Sequence, residues 1–151
     1  MHRMYTLEDL DLDQLTGVST LVRVDFNVPL EDGRVADDAR LLAALPTIQE
    51  RQQAGARILL ASHCGRPKEG PDPRFSLQPV AARLAELLGK PVRFAEDCVG
   101  EPAQSAAESL KPGEICLLEN LRFHDGEKRN DPDFAGQLAE LAEAYVDDAF
   151  G

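Results

Sequence analysis

Short apolar runs alternate along this chain with longer segments in which apolar residues recur every three or four positions. Apolar runs of this length, bounded by polar residues or glycine, are typical of strands that are buried on both faces. The pattern predicts five such strands, at residues 20–24, 56–61, 91–94, 115–118 and 144–146.

Four helices are predicted between these strands, at residues 39–53, 77–88, 102–110 and 131–142. Asp37 or Asp38 can cap the first helix, and Gly55 stops it. Ser76 is the expected N-cap of the second helix, which ends at Gly89.

The order of these elements predicts an α/β fold. Strands that alternate with helices form a parallel sheet with right-handed crossovers and helices on both faces, which gives three αβα layers. A chain of 151 residues is the size of one such domain. Residues 65–75, with Gly70 and three prolines, form the one long predicted loop, and loops of this length often carry function.

Charge and composition exclude several classes of protein. The formal net charge is −11, so general binding to nucleic acid or to an anionic membrane is not expected, because both need a cationic face. No apolar stretch of about 18 residues occurs, and the N-terminus does not resemble a signal region. These features lead us to expect a soluble, cytoplasmic protein.

The cysteines predict neither a disulfide framework nor a metal site. Cys64, Cys98 and Cys116 are odd in number and far apart. They show no C-x-x-C pairing and no nearby histidine spacing, so reduced thiols are expected.

Polar signatures follow four of the predicted strands. They are Val24-Asp25-Phe26-Asn27-Val28-Pro29, Ser62-His63-Cys64-Gly65-Arg66-Pro67, Glu119-Asn120-Leu121-Arg122-Phe123 and Asp147-Asp148-Ala149-Phe150-Gly151. The carboxyl ends of parallel strands open onto the ligand crevice, so these segments predict a binding site. No G-x-G-x-x-G or P-loop motif is present, and the predicted site is therefore a cationic one that binds an anion through side chains.

The first signature allows two interpretations. Asp25 and Asn27 project to one side of an extended backbone, where they can hold hydroxyl groups or orient an arginine. Alternatively, they form a turn at the end of a strand. Arg40, which opens the first helix, is either a site residue or one member of an exposed ion pair.

The other cationic candidates follow the second and fourth strands. His63 and Arg66 can donate to an anion, with Gly65 allowing a tight turn between them; a simple Gly-Pro turn is the alternative. Arg122 lies between apolar neighbours that can hold its guanidinium in place, and an ion pair with Glu119 is the competing interpretation.

Taken in order, these signatures resemble those of the phosphoglycerate kinase family. The resemblance is carried by the segments at 24–29, Arg40 with Ala44-Leu45-Pro46-Thr47-Ile48, and the segments at 62–67, 117–123 and 148–151. Cys64 and Asp147 depart from the family pattern, which usually has an apolar residue and an asparagine there. The resemblance implies a Rossmann-like fold.

The resemblance further implies that residues 1–151 are a truncated part of the N-terminal, phosphoglycerate-binding domain. The nucleotide-binding C-terminal domain, with its Mg-ATP or Mg-ADP site, has no counterpart, so no cofactor is expected in this segment. The intact enzyme, expected to be a monomer, would transfer a phosphoryl group reversibly between 1,3-bisphosphoglycerate and ADP in glycolysis. The piece alone is expected to be inactive.

Residue roles carry over by motif. Asp25 and Asn27 would orient the glycerate, while His63, Arg66 and Arg122 would grip the 3-phosphate. Arg40 would stabilise charge on the transferring group and is the expected catalytic residue. Three further members of these motifs complete the predicted substrate site, namely Phe26, Cys64 and Gly65.

Three interpretations stay open at this stage. The chain could be a non-catalytic anion-binding domain, or another doubly wound enzyme that only mimics the series. The Cys64 thiol could be reactive in a cationic neighbourhood, but we expect it to fill a core position as a small hydrophobe.

Overall fold

Buried strands of the central sheet lie side by side in an order that differs from their order in the chain. The computed structural model describes residues 5–6, 16–67, 70–124 and 131–147. Six strands form this sheet in the order β1-β8-β2-β5-β7-β6, and every neighbouring pair is parallel. They are β1 Tyr5–Thr6, β2 Ser19–Arg23, β5 Arg57–Ala61, β6 Val92–Ala95, β7 Ile115–Leu118 and β8 Ala144–Asp147.

Helices cover both faces of the sheet. They are α1 Ala39–Gln53, α2 Gln78–Leu88, α3 Glu101–Ser109 and α4 Pro132–Ala139. Side chains of α1 and α2 share one buried cluster with Val22, Ile58 and Leu60. Side chains of α3 and α4 share a second cluster with Leu21 and Leu59. Successive strand residues therefore enter opposite cores, and the predicted α/β architecture with three layers is confirmed.

Most predicted helix ends agree with the structure to within one residue. Gly89 ends α2 in the left-handed conformation at φ +67°, as its position predicts. At the start of α1 the Asp37 carboxylate accepts from the Ala39 N–H, whereas Asp38 pairs with Arg83 of α2 at 2.7 Å. The second aspartate therefore joins two helices on one face of the sheet.

The last helix is shorter than its pattern predicts. It ends at Ala139, and the N–H of Leu141 bonds to the Leu138 carbonyl across three residues, as in a tight final turn. Leu141 and Ala142 are buried in the second cluster. Their apolar side chains therefore contribute to the core although they lie outside the helix. Periodicity alone does not separate these two cases.

A small hairpin and one sheet strand were not predicted. The hairpin pairs β3 Leu30–Glu31 with β4 Arg34–Val35 through a turn in which Asp32 and Gly33 both have positive φ. Asp-Gly is a favoured pair for this turn type, so the Asp32-Gly33 dipeptide was the sequence signal that could have predicted the hairpin. The other strand is β1, whose two residues pair with β8 at one edge of the sheet.

Within the described ranges, no helix has both the length and the apolar character that a membrane span requires.

Adjacent leucines of α1 provide a direct test of the packing. Leu41 is fully buried, whereas 47% of Leu42 is exposed. We expect Leu41→Ala to lower the free energy of unfolding by about 2 to 5 kcal/mol through the cavity it leaves. We expect Leu42→Ala to change it by about 0.5 kcal/mol or less. Urea denaturation measures both, and equal losses would contradict this placement of α1.

Candidate active site

Three polar segments and the end of β8 lie at one edge of the sheet. The segments follow β2, β5 and β7, and all four strands are consecutive neighbours in the sheet that run in the same direction. The predicted convergence of the segments after β2, β5 and β7 is therefore present in the fold. Asp147 ends β8, and the rest of the fourth signature, residues 148–151, lies outside the described residues.

The side chain of Asn120 joins the loop after β5 to the turn after β7. Its Oδ1 accepts from the N–H groups of Cys64, at 3.1 Å, and Arg122, at 2.9 Å. Its Nδ2 donates to the carbonyl oxygens of Cys64, at 2.7 Å, and Phe75, at 3.0 Å. Asn120 is fully buried, and these bonds use the amide's donors and acceptors completely.

The hydroxyl group of Ser62 joins the segment after β2 to the loop after β5. The Ser62 hydroxyl accepts from the N–H of Phe26 at 2.9 Å and donates to the His63 carbonyl at 2.9 Å. The Ser62 carbonyl in turn accepts from the Leu121 N–H at 3.0 Å. The sequence motifs contain Asn120 and Ser62, but neither was predicted as a site residue. The available signal was a polar side chain within two residues of the end of a buried strand.

Asp25, Asn27 and Arg40 form one polar cluster. The Asn27 side chain accepts from the Gly65 N–H at 2.8 Å, which fixes the loop after β5. Arg40 donates to the carbonyl of Asn27 and lies 3.4 Å from the Asp25 carboxylate. The Asp25 carboxylate also accepts from the Asn27 N–H at 3.1 Å. The pair therefore forms a turn, as one sequence interpretation predicts, and the Asp25 carboxylate and the Asn27 carbonyl also contact Arg40.

Arg122 is held by its backbone, and its guanidinium has no ion-pair partner among the described residues. Its Nε is buried and has no hydrogen-bond partner, and no carboxylate of the described residues lies within ion-pair distance. Glu119, the competing partner, instead accepts from the Leu77 N–H at 2.8 Å and the Ser76 hydroxyl at 2.6 Å. Glu119 therefore holds the start of α2 and is not the ion-pair partner of Arg122.

His63 and Arg66 lie on the same loop as Gly65. His63 is half-buried, whereas Arg66 is exposed and has no hydrogen-bond or ion-pair partner within the described residues. The loop is fixed at Cys64 and Gly65 by Asn120 and Asn27. The structure thus brings these two cationic candidates to the same edge as Arg40 and Arg122.

The side chains of Phe26 and Cys64 lie in the core and not at the surface of the site. Phe26 is fully buried and Cys64 is 1% exposed, both in the cluster beneath α1 and α2. The Cys64 thiol donates to the Val28 carbonyl at 3.5 Å, and burial raises the pKa of this thiol. Any ligand contact of these two residues would therefore use backbone atoms, and the core placement expected for Cys64 is confirmed.

A cleft of about 240 Å³ opens beside the Gly65 turn. It is lined by residues of the segments after β2 and β5, together with Arg74 and Phe75. Gly65 has φ +64°, and a Cβ placed there would lie 2.3 Å from the Phe75 ring. The glycine therefore serves both the conformation of the turn and the close approach of the ring.

This geometry defines a class of protein: a doubly wound α/β domain with an arginine-rich edge at the carboxyl ends of its strands. The family profile described as phosphoglycerate kinase matches residues 7–151. The chain belongs to the phosphoglycerate kinase family, and the assignment made from the sequence motifs is confirmed.

Curated relatives and solved structures agree with this assignment. Phosphoglycerate kinases from Akkermansia muciniphila and Moorella thermoacetica are 55% and 56% identical to this chain over 97% of its length. The chain spans 36% of each of these relatives. The Coxiella burnetii phosphoglycerate kinase structure matches 97% of this chain and 36% of its own with a TM-score of 0.82 at 36% identity. The Pyrococcus horikoshii structure matches 97% of this chain and 37% of its own, with a TM-score of 0.83 at 32% identity.

Gly65 and Gly70 form a matched pair for testing the turn. Both have positive φ, but a Cβ at Gly70 would meet nothing within 4 Å. We expect Gly70→Ala to cost about 1 to 2 kcal/mol of unfolding free energy from backbone strain alone. Gly65→Ala should cost more, because the Phe75 ring must also move.

Thermal and urea denaturation of these variants measure the difference. Adding Phe75→Ala to Gly65→Ala should recover part of the extra loss, as a double-mutant cycle requires for groups in contact. Equal costs for the two alanine variants, with no coupling to Phe75, would contradict the close approach.

Thiol alkylation tests the placement of Cys64. Burial raises the pKa of both Cys64 and Cys116, for Cys116 to about 11, and the thiolate is the reactive form. We expect both thiols of the folded chain to be alkylated slowly near neutral pH and rapidly once denaturant is added. Mass spectrometry of the labelled peptides measures each site. Rapid labelling of Cys64 that 3-phosphoglycerate prevents would overturn the core placement.

Proposed function

We propose that this chain is the phosphoglycerate-binding part of a cytoplasmic phosphoglycerate kinase. It binds 3-phosphoglycerate and 1,3-bisphosphoglycerate for phosphoryl transfer with ATP and ADP. The observation that supports this most strongly is Arg122, whose partly buried guanidinium lies at the ligand edge of the sheet with no carboxylate partner among the described residues. A partly buried cationic group of this kind is best satisfied by an anion.

The 3-phosphate would be held by His63, Arg66 and Arg122. Arginine suits this role because its planar fork can donate two hydrogen bonds to one phosphate group. Asn120 fixes the backbone on both sides of this set, at Cys64 and at Arg122. The cost of ordering the backbone is therefore met before the ligand arrives, and this preorganisation favours affinity.

The glycerate would be oriented by Asp25 and Asn27, beside Arg40. Asp25 and Arg40 are both substantially exposed, with 42% and 51% of their side chains accessible, so water screens their attraction. A substrate carboxylate can therefore compete for the Arg40 guanidinium. Backbone groups of Phe26, Cys64 and Gly65 complete the surface of this site.

Arg40 is the proposed catalytic residue. Phosphoryl transfer depends mainly on positioning and on neutralising the charge that spreads over the transferring group. A guanidinium that is held by Asn27 yet accessible to the ligand can stabilise this charge. In such an enzyme, Mg-ATP or Mg-ADP bound to the second domain would supply or accept the phosphoryl group. The 151-residue chain alone would therefore not catalyse the transfer.

Ligand binding to the chain itself tests the phosphate site. We expect isothermal titration calorimetry to detect 3-phosphoglycerate binding, and Arg122→Ala to weaken it about 30-fold or more. This factor corresponds to about 2 kcal/mol, the lower end of the cost of removing one member of a desolvated charge pair. Arg93→Ala is the matched control, because Arg93 lies 3.7 Å from Glu114 and belongs to none of the four segments.

The control variant should bind within about twofold of the original chain, as expected for an exposed ion pair outside the site. Glycerate without phosphate should bind much more weakly than 3-phosphoglycerate. If the unmodified chain is folded by circular dichroism but binds no 3-phosphoglycerate at millimolar concentration, a preformed site is refuted. Equal weakening by Arg93→Ala would refute the role of Arg122.

Steady-state kinetics separate Arg40 from Arg122 in a full-length enzyme that carries this segment. Arg40→Ala should mainly lower kcat, because this guanidinium acts where charge develops in the transition state. Arg122→Ala should mainly raise KM, because the 3-phosphate does not react. A coupled assay that found the same change in both parameters for both variants would contradict this division.

A further inference from the structure

We infer that Asp97, Cys98 and His124 form a zinc-binding site at the end of β6, outside the phosphoglycerate site. One carboxylate oxygen, the Cys98 thiol and one imidazole nitrogen all lie within 4.8 Å of one another. In a tetrahedral zinc site, bond lengths near 2.0 to 2.3 Å place the ligand atoms about 3.4 Å apart. Small rotations of these side chains would therefore bring the three donors around one ion.

The sheet topology brings these residues together from distant positions in the sequence. Asp97 and Cys98 follow β6, while His124 follows the 3₁₀ turn Leu121–Phe123 after β7. The two strands are parallel neighbours, with Ala95 opposite Leu118. The search for C-x-x-C pairs and nearby histidines considers only local sequence, so it could not predict such a cluster.

Hydrogen bonds and ring packing already hold the donors in place. The Asp97 Oδ1 accepts from the Cys98 N–H at 2.7 Å and lies 2.7 Å from the His124 Nε2. The His124 ring packs 5.3 Å from the ring of Phe134 in α4. These contacts limit the conformational entropy lost on metal binding, and an incoming ion would take the place of the hydrogen bond between Asp97 and His124.

The donor set selects the kind of metal. A thiolate, an imidazole and a carboxylate are ligands that zinc accepts together, whereas calcium and magnesium prefer oxygen donors. Cys98 closes the inner side because it is fully buried, while Asp97 and His124 are 39% and 33% exposed and leave a path for the ion. Three protein donors leave a fourth position for water, and binding would release the thiol proton to solvent.

Occupancy of this site would link the loop after β6 to the segment that carries Arg122. His124 follows Arg122 by two residues, and its N–H bonds to the Leu121 carbonyl at 3.2 Å. The inference does not rest on the proposed function, because the three donors lie outside the groups assigned to the substrate.

Cobalt titration of the 151-residue chain tests the site, because Co²⁺ substitutes for Zn²⁺ and reports its ligands in the absorption spectrum. After treatment with a chelator, we expect one equivalent of Co²⁺ to give a thiolate charge-transfer band that Zn²⁺ then removes. Cys98→Ser should abolish the band, and His124→Gln should weaken cobalt binding by about tenfold or more. Cys116→Ser is the matched control and should keep the band.

Zinc-dependent thermal stability provides a second measurement on the unmodified chain. Zn²⁺ that binds the folded state should raise Tm with increasing concentration, and Asp97→Asn should reduce this rise. A cobalt complex without a thiolate band, or a band that persists in Cys98→Ser, would overturn the proposal. The proposed function could fail independently, since neither readout involves 3-phosphoglycerate.

Discussion

The hydrogen bonds of the buried Asn120 amide are the constraint on which the ligand edge of this domain depends. They bind both the N–H and the C=O of Cys64, the N–H of Arg122 and the carbonyl of Phe75. A buried polar group without its partner costs about 1 to 3 kcal/mol, so a side chain unable to make these bonds would leave several such groups unsatisfied. One amide therefore fixes the loop after β5, at Cys64 and at Phe75, against the turn after β7, although these two segments are far apart in the sequence.

A local cationic edge on a strongly acidic chain follows from how its carboxylates are used. Glu119 is engaged with Ser76 and the start of α2, and Asp38 is engaged with Arg83 of that helix. These two carboxylates thus serve the scaffold, and Arg122 is left without one among the described residues. The net charge of −11 describes the whole chain, whereas a ligand responds to the nearest groups.

Sequence patterns predicted the parts of this molecule that depend on burial or on local turn chemistry. Strand residues such as Val22 and Leu59 enter opposite cores, and this double burial produces the continuous apolar runs that identified the sheet. The two-residue β1 was too short for such a pattern. The hydrogen bonds of Asn120 and the meeting of Cys98 with His124 depend on strand order, which no local spacing records.

The central claim is that the ligand edge is already assembled in this chain and binds 3-phosphoglycerate. Backbone NMR of the labelled chain, titrated with 3-phosphoglycerate, tests it residue by residue. The account predicts that saturable shift changes concentrate on the amides after β2, β5 and β7, with Gly65 and Arg122 among the largest because they are the fixed points of those loops. Changes centred on the opposite end of the sheet, or none at millimolar ligand in a folded chain, would contradict it.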